Sequence, residues 1–103
     1  MVGGGLAISK SQFIQVNGFS NSFFGWGGED DEFYQRLADH DLQPLRLPAH
    51  QARYVSLKHP KESPPSERAG LPTNHDEDGL STLQYLNQGV RVLPMFTIVT
   101  VVV

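Results

Sequence analysis

Apolar positions along the chain switch between helical and extended spacing, with clusters of turn residues between them. After the glycine-rich start Val2–Ala7, Ser9-Lys10-Ser11-Gln12 spells a capping box, with Ser9 as N-cap and Gln12 three residues later. A short helix Lys10–Val16 follows, placing Phe13 and Val16 on one face, and Asn17-Gly18 supplies the left-handed residues that stop it. Phe19–Gly28 loses the periodicity and reads as a loop, although an aromatic one, with Phe19, Phe23, Phe24 and Trp26. Helical spacing returns over Glu29–Asp39. There Phe33, Leu37 and Tyr34 make the buried stripe, and Glu32 with Arg36 forms an i,i+4 pair. Acidic residues in that first turn suit the positive end of the helix dipole.

Beyond the second helix the spacing becomes extended. Leu42–Leu47 alternates apolar and polar residues but is broken by Pro44, and Arg53–Lys58 is the better strand candidate. Pro60–Asp78 carries Pro60, Pro64, Pro65 and Pro72 without periodicity, which predicts a long, mobile surface loop. After Gly79 a strand or short helix around Leu83–Leu86 leads to Val90–Leu93. Phe96–Val103, rich in Val, Ile and Thr, is the strongest strand signal in the chain. No internal repeat is present. The pattern is α/β, and 103 residues suit a single unit spanning 1–103 with one modest core.

Composition changes this picture mainly by exclusion. With 39% hydrophobic and 18% charged residues the chain is globular rather than disordered. The net charge of −3, without any Lys/Arg cluster, gives no surface for nucleic acid. Zero cysteines exclude disulfides and thiolate metal sites. No basic-then-apolar leader opens the sequence, and no apolar run approaches the roughly 20 residues of a spanning helix, so no membrane segment is expected. The compartment cannot be read from these features.

Candidate chemistry concentrates in Phe23–Phe33. An indole, Trp26, stands beside small residues and is followed by carboxylates at a helix N-terminus. Glycines let a ligand approach the backbone, and an indole face can stack on the C–H surface of a sugar ring. Carboxylates can accept hydrogen bonds from sugar hydroxyls, and one can act as a general base. The alternative is a plain helix start with dipole compensation and a tryptophan packed in the core. A carboxylate metal site at Glu29–Glu32 is disfavoured, because four successive helical residues point in different directions.

Gly25-Trp26-Gly27-Gly28-Glu29-Asp30-Asp31 resembles the signature motif of the β-1,4-galactosyltransferases. Gly3-Gly4, Ala7-Ile8-Ser9-Lys10, Gln12-Phe13 and Asn17-Gly18-Phe19 resemble that family's preceding stretch. Arg36-Leu37, Arg46, Lys58-His59, Asp78-Gly79-Leu80 and the ending recur in its order. The resemblance implies a partial GT-A (Rossmann-like) fold, its C-terminal half only. It implies an inverting transfer of galactose, or N-acetylgalactosamine, from a UDP-sugar to the 4-hydroxyl of a terminal sugar such as GlcNAc, glucose or xylose, with Mn²⁺. Carried over by position, Asp30 is the catalytic base and Trp26 lies at the donor–acceptor junction. Gly27, Gly28, Glu29 and Asp31, with Gly3 and Gly4, contact the sugars, and His59 is a metal ligand. It also implies the Golgi lumen, if the chain follows the animal members.

The sequence departs from the family at three places. Ser56 stands where many members have a methionine metal ligand three residues before the histidine, and a hydroxyl replaces a thioether poorly. The family's Asp-x-Asp metal and nucleotide motif belongs upstream of the glycine pair, so an upstream catalytic half is expected as a partner. Asp76-Glu77-Asp78 cannot stand in for it. Pro60–Glu77 is shorter than the family's segment, and its prolines disfavour a helical closed state. The resemblance also implies that the residue two before the glycine pair influences donor choice, and that position is Met1. His40, His50 and His75 read as solvated. Against the enzyme reading stands a non-catalytic carbohydrate-binding or vestigial domain that keeps only the sugar-contact loop.

Overall fold

A computed structural model of the chain describes residues 4–63 and 74–103. Helix α1 (Lys10–Gln15) starts as its capping box requires. The Gln12 N–H donates to Ser9 Oγ at 3.2 Å, and the Ser9 N–H donates to Gln12 Oε1 at 3.3 Å. Two left-handed residues, Asn17 (φ 60) and Gly18 (φ 64), end it and turn the chain outward. Gly18 N–H bonds back to the Phe13 carbonyl at 2.9 Å, closing the terminus as left-handed C-caps do.

Helix α2 (Glu29–Asp39) follows Gly28, which takes a φ of 90 and, having no side chain, gives the helix start no side-chain cap. Its buried positions are Glu32, Phe33, Arg36 and Leu37, a stripe at helical spacing. The core consists of Val16, Phe33 and Leu37, with Ile8, Phe13, Tyr34 and Leu42 packed against it. Phe19 stacks on Phe33 with ring centroids 4.1 Å apart, and Phe13 tilts against both rings. The aromatic loop is thereby fastened to α2 at its first residue.

A 3₁₀ turn, Leu80–Thr82, precedes an antiparallel hairpin of β1 (Leu86–Val92) and β2 (Thr97–Val102). The register pairs Leu86 with Val102 and Val92 with Thr97, with a bulge between Asn87 and Gly89. Every residue of both strands is exposed.

Several expectations are corrected. Leu42–Leu47 and Arg53–Lys58 form no strands. A strand needs a ladder partner, and among the described residues only β1 and β2 pair. Tyr54 and Leu57 remain 89% and 80% exposed, so nothing described covers that segment either. The helical turn lies before Leu83 rather than around Leu83–Leu86, and the strand expected at Val90–Leu93 starts four residues earlier. Of Pro60–Asp78, positions 64–73 lie outside the described residues. The architecture is thus a small mixed helix/strand unit with a two-stranded sheet, compatible with part of a glycosyltransferase domain. The radius of gyration is 16.1 Å, against about 13 Å for a compact domain of this length.

Candidate functional site

The motif Gly25–Asp31 joins the aromatic loop to α2, and its glycines are dictated by backbone conformation. Gly25, Gly27 and Gly28 take φ of 74, 90 and 90, a region where a Cβ would be strained. Trp26 stands between two of them and is 54% exposed, which places its ring at the surface rather than in the core. Glu29 and Asp30 are half-buried and Asp31 is exposed. Glu32 turns back into the core, as the 100° step between helical residues requires. One Glu29 oxygen, Oε2, is buried without a hydrogen-bond partner. The motif therefore presents an indole and a partly buried carboxylate pair side by side along one stretch of backbone.

The loop is held from below by residues distant in sequence. The Asp78 carboxylate accepts from Ser20 Oγ, from the Asn21 N–H at 2.7 Å and from Ser22 Oγ at 3.0 Å. Burial alone would raise its pKa, but these donors and the nearby Arg36 charge outweigh that and hold the carboxyl below its ordinary 3.8. Asn21 Nδ2 donates to the Gly79 carbonyl at 2.8 Å. Gly79 is needed because a methyl there would run into the Asn17 carbonyl oxygen and lie 2.8 Å from Arg36 Nη1.

Arg36 is fully buried. Its Nε donates to Glu32 Oε1 at 2.6 Å, and its Nη1 donates to the Asn17 and Gly18 carbonyls at 3.3 Å each. Nη2 lies 4.0 Å from Asp78 Oδ2, a charge pairing too long to be a hydrogen bond. One guanidinium thus joins α2, the end of α1 and the segment around Asp78.

The histidine reading needs correcting in two of three cases. His75 is not solvated: its side chain is 15% exposed, with Nδ1 3.1 Å from Asp39 Oδ2 and Nε2 3.5 Å from Glu32 Oε1. Asn17 Nδ2 also donates to its carbonyl at 2.8 Å. His40 is half-buried, its Nδ1 2.9 Å from the Arg36 carbonyl at the end of α2. His50 is exposed, as expected.

His59 is exposed, and its Nδ1 lies 2.8 Å from the Pro60 carbonyl oxygen. A carbonyl only accepts, so this contact assigns a proton to Nδ1 and leaves Nε2 as the nitrogen that a neutral ring would offer a metal. That fits a single ligand. Among the described residues no group of three or more His, Asp or Glu side chains is placed to hold an ion.

Gly4 is exposed, with open space where a side chain would stand. Gly3 and Met1 lie outside the described residues. A cavity of about 110 Å³ sits between the Leu6–Ile8 stretch, Leu37 and the Leu42–Leu45 stretch, and no motif residue lines it. The clustering of Asp78, Arg36, Asn17 and Ser20–Ser22 was missed by sequence reasoning. Asp78-Gly79-Leu80 stood out only as part of the resemblance, and nothing local could show where that segment docks.

Comparison with known proteins bears on this arrangement. A family model described as the N-terminal domain of galactosyltransferase matches residues 1–60. Over 96% of the chain, β-1,4-galactosyltransferase 1 of Bos taurus is 37% identical and that of Homo sapiens 36%. β-1,4-Galactosyltransferase 4 of Cricetulus griseus is 33% identical over the same share. The match covers 26%, 27% and 31% of those proteins, so the chain spans about a quarter to a third of their length. No described helix is long and apolar enough to cross a membrane. With the family model covering more than half of the chain and the motif seated where an exposed indole meets a helix start, the chain belongs to the galactosyltransferase family.

Proposed function

We propose that the chain is the acceptor-binding and catalytic-base part of an inverting galactosyltransferase, corresponding to the C-terminal half of its catalytic domain. The reaction moves galactose, or N-acetylgalactosamine, from a UDP-sugar to the 4-hydroxyl of a terminal sugar such as GlcNAc or xylose. One observation carries this reading: the sole tryptophan, Trp26, is half exposed on a glycine-built turn that leads directly into the partly buried Asp30. A sugar stacked on the indole would place its hydroxyls toward the first turn of α2. Asp30 would take the acceptor hydroxyl's proton as the oxygen attacks the anomeric carbon from the face opposite the departing UDP. Glu29, Asp31, Gly27 and Gly28 would orient the acceptor through hydrogen bonds and close backbone approach.

The C-terminal placement rests on the resemblance alone, in whose family a metal and nucleotide carboxylate pair precedes the glycine pair. The UDP-sugar and the metal would then be held largely by an upstream half, with Gly3 and Gly4 near the junction. His59 would offer Nε2 to Mn²⁺ as one ligand among several. When bound, such an ion neutralises the leaving diphosphate. If the chain follows the animal members it works in the Golgi lumen.

The second reading is a carbohydrate-binding role without catalysis, which needs only the half-exposed Trp26 and its glycine turn. Asp30→Asn separates the two. In the chain combined with its upstream half, turnover should be lost while acceptor affinity is kept, because the substitution removes the base and preserves shape. A raised KM with unchanged kcat would assign Asp30 to binding. Absence of turnover in the unsubstituted assembly would favour the non-catalytic role.

A further inference from the structure

The loop that carries Trp26 has two ends fixed by ordinary packing. Phe19 is stacked on Phe33, and Gly28 leads into α2. Between them, Ser20, Asn21 and Ser22 make no regular secondary structure, so their conformation depends on outside partners. All three converge on one carboxylate, that of Asp78, some 56 to 58 residues away in sequence. The Ser22 N–H also donates to Ser20 Oγ at 3.0 Å, which folds the three residues around the acid.

Asp78 is itself held firmly. The Leu80 N–H donates to the Asn17 carbonyl at 2.8 Å, and the Ser81 N–H donates to Asn17 Oδ1 at 2.8 Å. Asn17 Nδ2 returns bonds to the His75 carbonyl at 2.8 Å and to Ser81 Oγ at 2.9 Å. On the helix side, His75 lies against Asp39 and Glu32, and Arg36 reaches toward Asp78 from the core. Segment 74–82 is thus docked on α1 and α2 on both sides of Asp78. A carboxylate taking three donors from one short loop is stronger and more directional than neutral contacts would be.

From this geometry we infer that Asp78 is a positioning residue for the sugar site, setting the loop through Ser20–Ser22 so that Trp26 stands ready for the acceptor. The inference rests on the reading of Trp26 as a sugar contact, but its structural half can be tested without sugar. Without the Asp78 anchor, Ser20–Ser22 lose three bonds, and Phe23, Phe24 and Gly25 are the three residues that link Ser22 to the indole. Asp78 touches no reacting atom in this scheme. It acts through the loop.

Trp26 is the only tryptophan, so its fluorescence reports this loop alone. The experiment compares the chain with Asp78→Ala, Asp78→Asn and Ser22→Ala, measuring Trp26 emission, acrylamide quenching, thermal unfolding and binding of N-acetylglucosamine. In the folded Asp78→Ala protein the emission should shift and quenching change, and N-acetylglucosamine affinity should fall about tenfold, the worth of one charge-assisted hydrogen bond. Asp78→Asn, which keeps one acceptor oxygen, should recover part of both. Should Asp78→Ala not fold, Ser22→Ala removes one loop contact while leaving the acid, and the same spectral change in smaller degree is expected. A lowered melting temperature with Trp26 emission, quenching and affinity unchanged in the folded fraction would overturn the inference, leaving Asp78 merely structural. Altered quenching in a chain that never binds N-acetylglucosamine would keep the positioning of the loop and sink the sugar reading.

Discussion

Arg36→Met tests the centre of the structure. The guanidinium is fully buried, and the Glu32 side chain beside it is only 5% exposed, so neither charge can be resolvated in the folded state. Methionine fills a similar volume but removes the donor 2.6 Å from Glu32 Oε1. Breaking a buried pair from one side costs about 3–5 kcal/mol, because the remaining carboxylate loses its 2.6 Å donor and keeps only the His75 ring 3.5 Å away. The Asn17 carbonyl keeps its bond from the Leu80 N–H, so little is added there, whereas the Gly18 carbonyl loses the Arg36 donor. Arg36→Met with Glu32→Leu removes both charges. Its cost should shrink to about 1–3 kcal/mol, the value of the unsatisfied carbonyl contacts. Urea unfolding, followed by circular dichroism and Trp26 fluorescence, measures both. Against a total stability on the order of 5–15 kcal/mol, the single substitution should leave the chain close to unfolding. A single-mutant cost below about 1 kcal/mol, or a double mutant less stable than the single, would refute the buried-pair reasoning.

Three further outcomes follow from the same geometry. Gly79→Ala should destabilise by about 1–3 kcal/mol or more, since the added methyl meets the Asn17 carbonyl and not a flexible side chain; unchanged urea unfolding would contradict it. Asp78 has a folded pKa below its ordinary 3.8, so its stabilising contribution is complete above about pH 3.8 and is lost as pH falls through the depressed value. The stability gap between the chain and Asp78→Asn should therefore close in strong acid, and a gap constant from pH 6 to pH 2 would count against the clamp. Trp26→Ala, at a ring 54% exposed, should change stability by less than about 1 kcal/mol while weakening N-acetylglucosamine binding. A large loss of melting temperature with binding intact would return Trp26 to the core.

What the sequence determined by itself was local. The capping box at Ser9 and Gln12, the Asn17-Gly18 stop, the full extent of Glu29–Asp39 and the Glu32–Arg36 pair all depend on contacts within a few residues. The strand at Thr97–Val102 was legible from β-branched content alone. The motif Gly25–Asp31 stood out in the sequence as candidate chemistry, whereas only the structure shows that Gly25, Gly27 and Gly28 answer a left-handed backbone. Pairing and docking were decided elsewhere. Arg53–Lys58 has strand composition yet pairs with no strand among the described residues, because a ladder is made with a neighbour and not with the segment's own residues. His75 looked solvated in a polar stretch, and only the folded chain brings Asp39 and Glu32 to its ring. Asp78 likewise gained its role from Ser20, Asn21 and Ser22, more than fifty residues away. Short-range hydrogen bonds and dihedral preferences are written into neighbouring residues, whereas a buried charge finds its partners only once helices and loops have packed.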